Sequence, residues 1–416
     1  MCMVVAEAVR RSVSRRTFLK SAGALAAAPL VLDAASRAVS RSFDRVARAQ
    51  EASQFHTQVV LLGTAGGPVW WPGTNRVGTS SALDVGGSIY LIDLGDGSTH
   101  RLNEAFNTGV FINTPGGKVE RGNPTFIENV NALFFTHLHS DHTVEYPALL
   151  NFGHGVGLNP SKPLKVFGPG PRGELEVIFT IPGAPPRSVP VINPSNPNPG
   201  TVGMTNYLFQ AFAQTMNNFM RDIGWPDFTA EFDVHDITLP TIPGFVDANT
   251  TPSPPMKPFS VYQDNLVSVQ ATLVSHGQVF PAFAYRLDTN DGSVVFSGDT
   301  SPNDNLIQMA QGADILVHEV IDPDWINNLI PPPLTPGDEA LLHHLQTAHT
   351  TIQDVGKVAQ ATGVKTLVLN HIVPGNDPIA HLLQASQNFS GHLIVGEDLL
   401  QVGVGTPASS ARTKHG

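Results

Sequence analysis

Residues Thr136-His137-Leu138-His139-Ser140-Asp141-His142 follow directly on the apolar run Ala132-Leu133-Phe134-Phe135. Three imidazoles and one carboxylate fall within six residues, on a loop at the end of a strand. Packing alone gives little reason for that density of polar groups. His137 and His139 alternate along the chain, so both can face one centre. Asp141 and His142 lie on the turn beyond and can reach a second centre. Imidazole nitrogen and carboxylate oxygen are the donors that zinc and similar divalent ions take.

The same setting recurs further along. His276 follows the run 269–275, Asp299 follows Val294-Val295-Phe296-Ser297-Gly298, and His371 follows Thr366-Leu367-Val368-Leu369-Asn370. Each is weak alone, but α/β folds gather their sites at strand ends, so the four clusters are not independent. Short runs rich in Val, Ile, Leu and Phe, bounded by Gly, Asn, Asp or Pro, predict buried strands at 58–62, 89–93, 132–136, 164–167, 266–274, 293–297, 315–317 and 366–369. Helical patterns cover 305–311 and, more clearly, 352–361, for which Thr350 and Gln353 are placed as a capping box. This is an α/β protein with mixed sheets.

The chain has 416 residues, 41% of them hydrophobic and 14% charged, so a sizeable core is available and wholesale disorder is excluded. It contains no apolar run of 18 residues, hence no ordinary membrane span. Cys2 is its one cysteine, which excludes a disulfide framework, a cysteine-rich zinc site and a cysteine nucleophile. The net charge of -11 argues against a nucleic-acid partner. Residues 160–258 hold 18 of the 34 prolines and a helical pattern from Thr205 to Trp225. They read as a Pro-rich insertion, either a lid or substrate wall or a helix packed on the core for stability.

Ser14-Arg15-Arg16-Thr17-Phe18-Leu19-Lys20, followed by an apolar, small-residue stretch to Leu32, resembles a twin-arginine (Tat) export signal. Ala47-Arg48-Ala49 fits the cleavage pattern, with Ala26-Ala27-Ala28 as a second candidate. The expected division is a signal over 1–49 and one mature domain over 50–416. The latter carries 15 basic against 32 acidic residues. Export through the Tat machinery to the periplasm or beyond suits a protein that folds and takes up metal first. No stable membrane anchor is expected.

H-x-H-x-D-H with a later His, Asp and His resembles the metallo-β-lactamase fold superfamily. Several details are similar to its ribonuclease Z branch and the arylsulfatase and phosphodiesterase relatives. They are Gly63-Thr64-Ala65-Gly66-Gly67, His276 with Ala284-Tyr285-Arg286, Phe296-Ser297-Gly298-Asp299-Thr300, His318-Glu319, His349-Thr350-Thr351 and Asn370-His371. The resemblance implies an αββα sandwich, two mixed β-sheets flanked by helices. It also implies a pair of divalent metal ions, zinc by preference. His137, His139 and His276 would hold one ion, Asp141, His142 and His371 the other, and Asp299 would bridge them. A hydroxide shared by the ions would be the nucleophile. Asp141 would orient it or move a proton. His349 would stabilise or protonate the leaving oxygen, with Glu319 orienting it. Trp70 and Arg76 are candidate substrate contacts. His343 and His344 read as helix surface, and His154 as pocket lining or turn.

The function favoured is an exported dinuclear hydrolase of a small-molecule ester, a sulfate ester or phosphodiester. The alternatives are a lactonase, a β-lactamase-like hydrolase, and a periplasmic metal-binding protein without turnover. Ribonuclease Z usually reads H-E-A-T-F and H-S-T where this chain has His318-Glu319-Val320-Ile321-Asp322 and His349-Thr350-Thr351. Its basic RNA-gripping arm has no counterpart in 160–258, which holds six Lys/Arg against eight Asp/Glu.

Overall fold

Neighbouring residues of a strand point to opposite faces, so a strand apolar at every position needs cover on both sides. In the computed structural model, which describes residues 55–108, 111–120, 122–181 and 187–407, such strands build two stacked sheets. The first half of the chain supplies β1 (Thr57–Gly63), β2 (Ser80–Val85), β3 (Ser88–Ile92), β4 (Phe111–Thr114), β5 (Gly117–Glu120), β6 (Val130–Phe134), β7 (Leu164–Pro169) and β8 (Phe232–Ile237). The second half supplies β9 (Phe259–Gln263), β10 (Val267–Leu273), β11 (Phe283–Thr289), β12 (Ser293–Phe296), β13 (Ile315–Ile321), β14 (Thr366–Val373), β15 (His392–Val395) and β16 (Gln401–Val404). Sheet one runs β16-β1-β2-β3-β6-β7-β8 and sheet two β15-β14-β13-β12-β11-β10-β9; β4 and β5 form a separate hairpin.

Val59 and Leu61 of β1 face inward with Tyr90 and Phe134, against Leu273, Phe283 and Phe296 of the other sheet. Val60 and Leu62 face outward into a second cluster with Leu102, Leu149 and Met216. Those residues come from helices α1 (Ser98–Phe106), α3 (Tyr146–Phe152) and α5 (Ala213–Asp222); α2 (Ser140–Thr143) and α4 (Thr201–Ala211) lie between them in the chain. On sheet two Val295, Leu316 and Leu367 face outward against Leu306, Val355 and Val358. These belong to α6 (Asp304–Ala310) and α9 (Ile352–Thr362), and α7 (Pro323–Leu329) and α8 (Pro336–Thr347) come between them. The layers are helix, sheet, sheet, helix, the αββα sandwich expected. β3, β6, β7 and β8 pair in parallel, as do β12, β13, β14 and β15, so loops of both sheets emerge at shared strand ends.

Two expectations need correction. Residues 160–258 are not wholly an insertion, because they contribute β7 and β8 to sheet one and α4 packs against both strands. The reason is that β8 (Phe-Asp-Val-His-Asp-Ile) is an edge strand whose polar alternate residues hide its pattern. The helical pattern of 205–225 is also two helices, broken at Phe212, with Phe209 and Phe219 packing on the same outer cluster across the break.

The cap of α9 falls one residue later than the sequence suggested. Thr351 accepts from the Asp354 amide, while Thr350 donates its hydroxyl to the Thr300 carbonyl at 2.6 Å. Thr351→Ala should therefore cost about 0.5–2 kcal/mol in urea unfolding and leave metal content unchanged. An unaltered midpoint would show that the cap does not hold the helix. No described helix is long and apolar enough to cross a membrane. Both candidate cleavage sites lie outside the described residues.

Candidate metal centre

β6 ends at Phe134, and the chain turns through Thr136 into the histidines. Asp93, just past β3, fixes that turn. Its carboxylate accepts from the Thr136 amide and hydroxyl, both at 2.8 Å, and meets His142 Nδ1 at 2.9 Å. That bond leaves His142 Nε2 for a ligand role. His276, three residues past β10, donates Nδ1 to the Ala348 carbonyl at 3.0 Å, which leaves its Nε2 likewise. Asp141 is held by the Gly67 amide at 3.0 Å, so the Gly-rich turn after β1 acts on the site directly.

His371 has φ of 41° and interrupts the β13–β14 register. A bulge held in that sparsely populated region re-aims a side chain off the sheet. Gly66 admits it, since a Cβ there would lie 2.3 Å from His371 Nδ1.

These turns bring all seven expected side chains together. The donor atoms of His137, His139 and His276 lie within 4.8 Å of one another, and so do those of Asp141, His142, Asp299 and His371. Asp299 stands between the groups. Its Oδ2 is 4.0 Å from His137 Nε2, 3.8 Å from His276 Nε2 and 3.2 Å from His371 Nε2, and its Oδ1 is 3.3 Å from His142 Nε2.

The donor set fits divalent cations on a second count. His137 Nε2, His142 Nε2 and Asp299 Oδ1 are buried and make no hydrogen bond. Buried polar atoms are seldom left so without an ion or water. Burial, then repulsion from His142 and His139, holds His137 well below the usual histidine range, and burial does the same for His276. Both are neutral, the form that binds metal. Burial would push the Asp299 carboxyl up, but His371 and His142 hold it well below the carboxylate range. Burial also opposes charge on His142, yet Asp299, Asp93 and Asp141 raise it well above its usual value. A cation would displace that proton.

Beyond the seven, His349 Nδ1 meets Glu319 Oε1 at 3.0 Å, and the same oxygen accepts from the Thr300 amide at 2.9 Å and the Thr350 amide at 3.3 Å. Three donors on one oxygen describe an anion, although burial pushes the Glu319 carboxyl up. Burial pulls His349 down, but Glu319 first, then Asp299 and Asp141, lift it to about 9. His318 is no partner for the Glu319 carboxylate: its ring faces the Glu319 carbonyl at 2.7 Å.

A cavity of about 220 Å³ opens on the centre. Its far wall is apolar: Val69, Trp71, Trp325, Leu341, Leu345 and Val373. Among the described residues none of 160–258 lines it; the helical part of the wall, Trp325, Leu341 and Leu345, comes from α7 and α8 instead. Trp70 and Arg76 do not line it either. Trp70 is 88% exposed with Nε1 on Asp96, and Arg76 Nη1 donates to Thr64 Oγ1 at 2.6 Å and to the Gly396 carbonyl. His154 pairs with Glu231 at 2.6 Å, away from the cavity. His344 is not surface. It lines the cavity, and burial, then His349 and His139, lower it to about 3. The sequence reading did not place Asp93 or Trp325 at the site; a charged residue closing the apolar run Ile89-Tyr90-Leu91-Ile92 was the available signal for the first.

Comparison with known proteins agrees with this geometry. Residues 12–31 match the model of the twin-arginine translocation pathway signal sequence. The chain is 27% identical over 351 residues to ribonuclease Z of Mycobacterium bovis, covering 83% of this chain and 98% of the relative. Human tRNase Z, short form, superposes with a TM-score of 0.51 at 17% identity, over 84% of this chain and 100% of that one. The metallo-β-lactamase fold protein YhfI of Bacillus subtilis is matched at a TM-score of 0.47 and 15% identity, over 83% and 98%. The fold is the metallo-β-lactamase fold, and the chain is similar to ribonuclease Z along most of its length. In sequence it is similar to the ribonuclease Z branch, and it carries a Tat signal that directs it out of the cytoplasm.

Proposed function

We propose that the protein is an exported two-metal hydrolase of small esters with an apolar, aryl-sized leaving group, a sulfate ester or phosphodiester. The observation that carries this reading is Asp299, whose two oxygens reach histidines of both donor groups. His137, His139 and His276 would hold one ion, Asp141, His142 and His371 the other, with Asp299 shared. Zinc suits these donors. Bound ions of this kind supply Lewis acidity and a nucleophilic water at neutral pH.

The chain's own residues do the rest. The Gly67 amide fixes Asp141, which faces the cavity and orients the attacking water. His349 keeps Nδ1 on Glu319, so Nε2 is the nitrogen left to protonate the departing oxygen. Glu319 keeps that imidazole charged. The apolar wall excludes water and receives the leaving group.

The test is a panel of 4-nitrophenyl sulfate, bis(4-nitrophenyl) phosphate, a lactone, a chromogenic cephalosporin and a precursor transfer RNA. Turnover of the aryl sulfate or the aryl phosphodiester, abolished by chelator and restored by zinc, is expected. Zinc-loaded protein idle on the whole panel would overturn the reading in favour of metal binding alone. RNA is the second reading, favoured by the name of the 27% identical relatives. Cleavage of the transfer RNA precursor with the small esters untouched would establish it instead. Within the panel, Trp325→Ala should raise KM for the aryl substrate roughly tenfold, since losing roughly 60 Å² of apolar contact at about 25 cal/mol per Å² removes about 1.5 kcal/mol. An unchanged KM would place the leaving group elsewhere.

A further inference from the structure

A second group of donors lies behind the cavity wall. Asp322 directly follows β13, Asp377 lies four residues past β14, and His381 is on α10 (Ile379–Leu382). Their donor atoms are within 4.8 Å of one another. His381 Nδ1 is 3.1 Å from Asp377 Oδ1 and 3.6 Å from Asp322 Oδ2.

Two features separate this group from an ordinary ion pair. The Asp377 side chain is 4% exposed, and its Oδ2 is buried with no hydrogen-bond partner. Among the described residues no lysine or arginine pairs with Asp322 or Asp377, so two buried carboxylates share one imidazole. A buried carboxylate without a full partner is costly to keep charged. A single divalent cation neutralises both and takes up the idle oxygen.

We propose that Asp322, Asp377 and His381 bind a third divalent cation, of the zinc class, separate from the two at the seven-residue centre. One imidazole nitrogen and two carboxylate oxygens form a common zinc donor set, and the part-exposed His381 leaves a side open for water as fourth ligand. Its consequence is mechanical. The Asp322 amide donates to the Val373 carbonyl at 2.7 Å, and the Asp322 carboxylate accepts from the Asp324 amide at 2.8 Å, at the start of α7. α7 carries Trp325, which meets Trp71 edge-to-face at 5.5 Å in the cavity wall. A cation on Asp322 and Asp377 would fasten that wall to the segment after β14.

The experiment is an anomalous difference map at the zinc edge from crystals of the exported protein equilibrated with zinc chloride, together with zinc per chain measured on the same preparations. A peak bounded by Asp322, Asp377 and His381 is expected. Asp377→Asn and His381→Gln should each bind one zinc fewer than wild type and keep its kcat. Absence of the peak in wild type, or equal zinc content in wild type and both variants, would overturn the proposal. The wild-type map decides even if a variant fails to fold. Because peaks at the seven-residue centre appear separately, failure of that centre and failure of this site are told apart.

Discussion

Asp299→Ala is expected to strip the protein of most bound divalent metal and to lower hydrolysis at least about 10³-fold. Among the described residues Asp299 is the one side chain whose oxygens approach four of the histidines, at 3.2 to 4.0 Å. Without it the centre keeps five imidazoles and only Asp141 as an anion, too little negative charge for two divalent ions a few ångströms apart. Lewis-acid stabilisation by such ions is worth several kcal/mol, and about 4 kcal/mol corresponds to about 10³ in rate. Asp299→Asn retains one carbonyl oxygen as a ligand and should lose less metal than the alanine variant. Metal per chain and steady-state turnover decide the matter, with circular dichroism confirming the fold. Two ions per chain and near-native turnover in Asp299→Ala would refute the shared-ligand role.

That residue was legible because its chemistry is local in sequence. Asp299, His276 and His371 each close an apolar run, and short length, flanking turn residues and richness in Val, Ile, Leu and Phe mark such runs as strands. The fold was readable for the same reason: β1, β3, β6, β12 and β14 are apolar at most positions, which demands cover on both faces. Edge strands were not, since β8 and β9 are only partly buried and are interrupted by Asp, His, Ser and Gln. The residues that orient the candidate ligands were the least visible. Asp93 acts on His142 from 49 positions away, and nothing between them announces the contact. Trp325 and His344 meet the cavity only because α7 and α8 fold over it. The cap of α9 shows the limit within one turn: Thr350 and Thr351 are equivalent by pattern, and the Thr300 carbonyl claims the first.

His349→Ala should leave metal content at the wild-type level while kcat falls roughly 10²–10⁴-fold, the usual worth of a positioned acid or base. The separation follows from geometry. His349 is outside the seven-residue donor set, yet it lines the cavity, and its ring centroid is 5.0 Å from that of His276 and 5.9 Å from that of His371. It can reach a substrate oxygen without being needed to hold an ion. Its charge depends on Glu319 above all, because bound cations would neutralise Asp299 and Asp141 and leave Glu319 as the anion that sustains it. A raised imidazole keeps its proton below its pKa and loses it above, so activity that needs the proton declines on the alkaline side. Glu319→Gln removes the anion that raises His349, and the alkaline decline should move to lower pH, with kcat reduced and zinc retained. Substrates with a good leaving group, such as 4-nitrophenolate, need protonation least, so both variants should be more impaired on alkyl than on nitrophenyl esters. Equal impairment on the two, or an alkaline limb unmoved by Glu319→Gln, would mean that His349 does not donate the proton and serves only to bind the substrate.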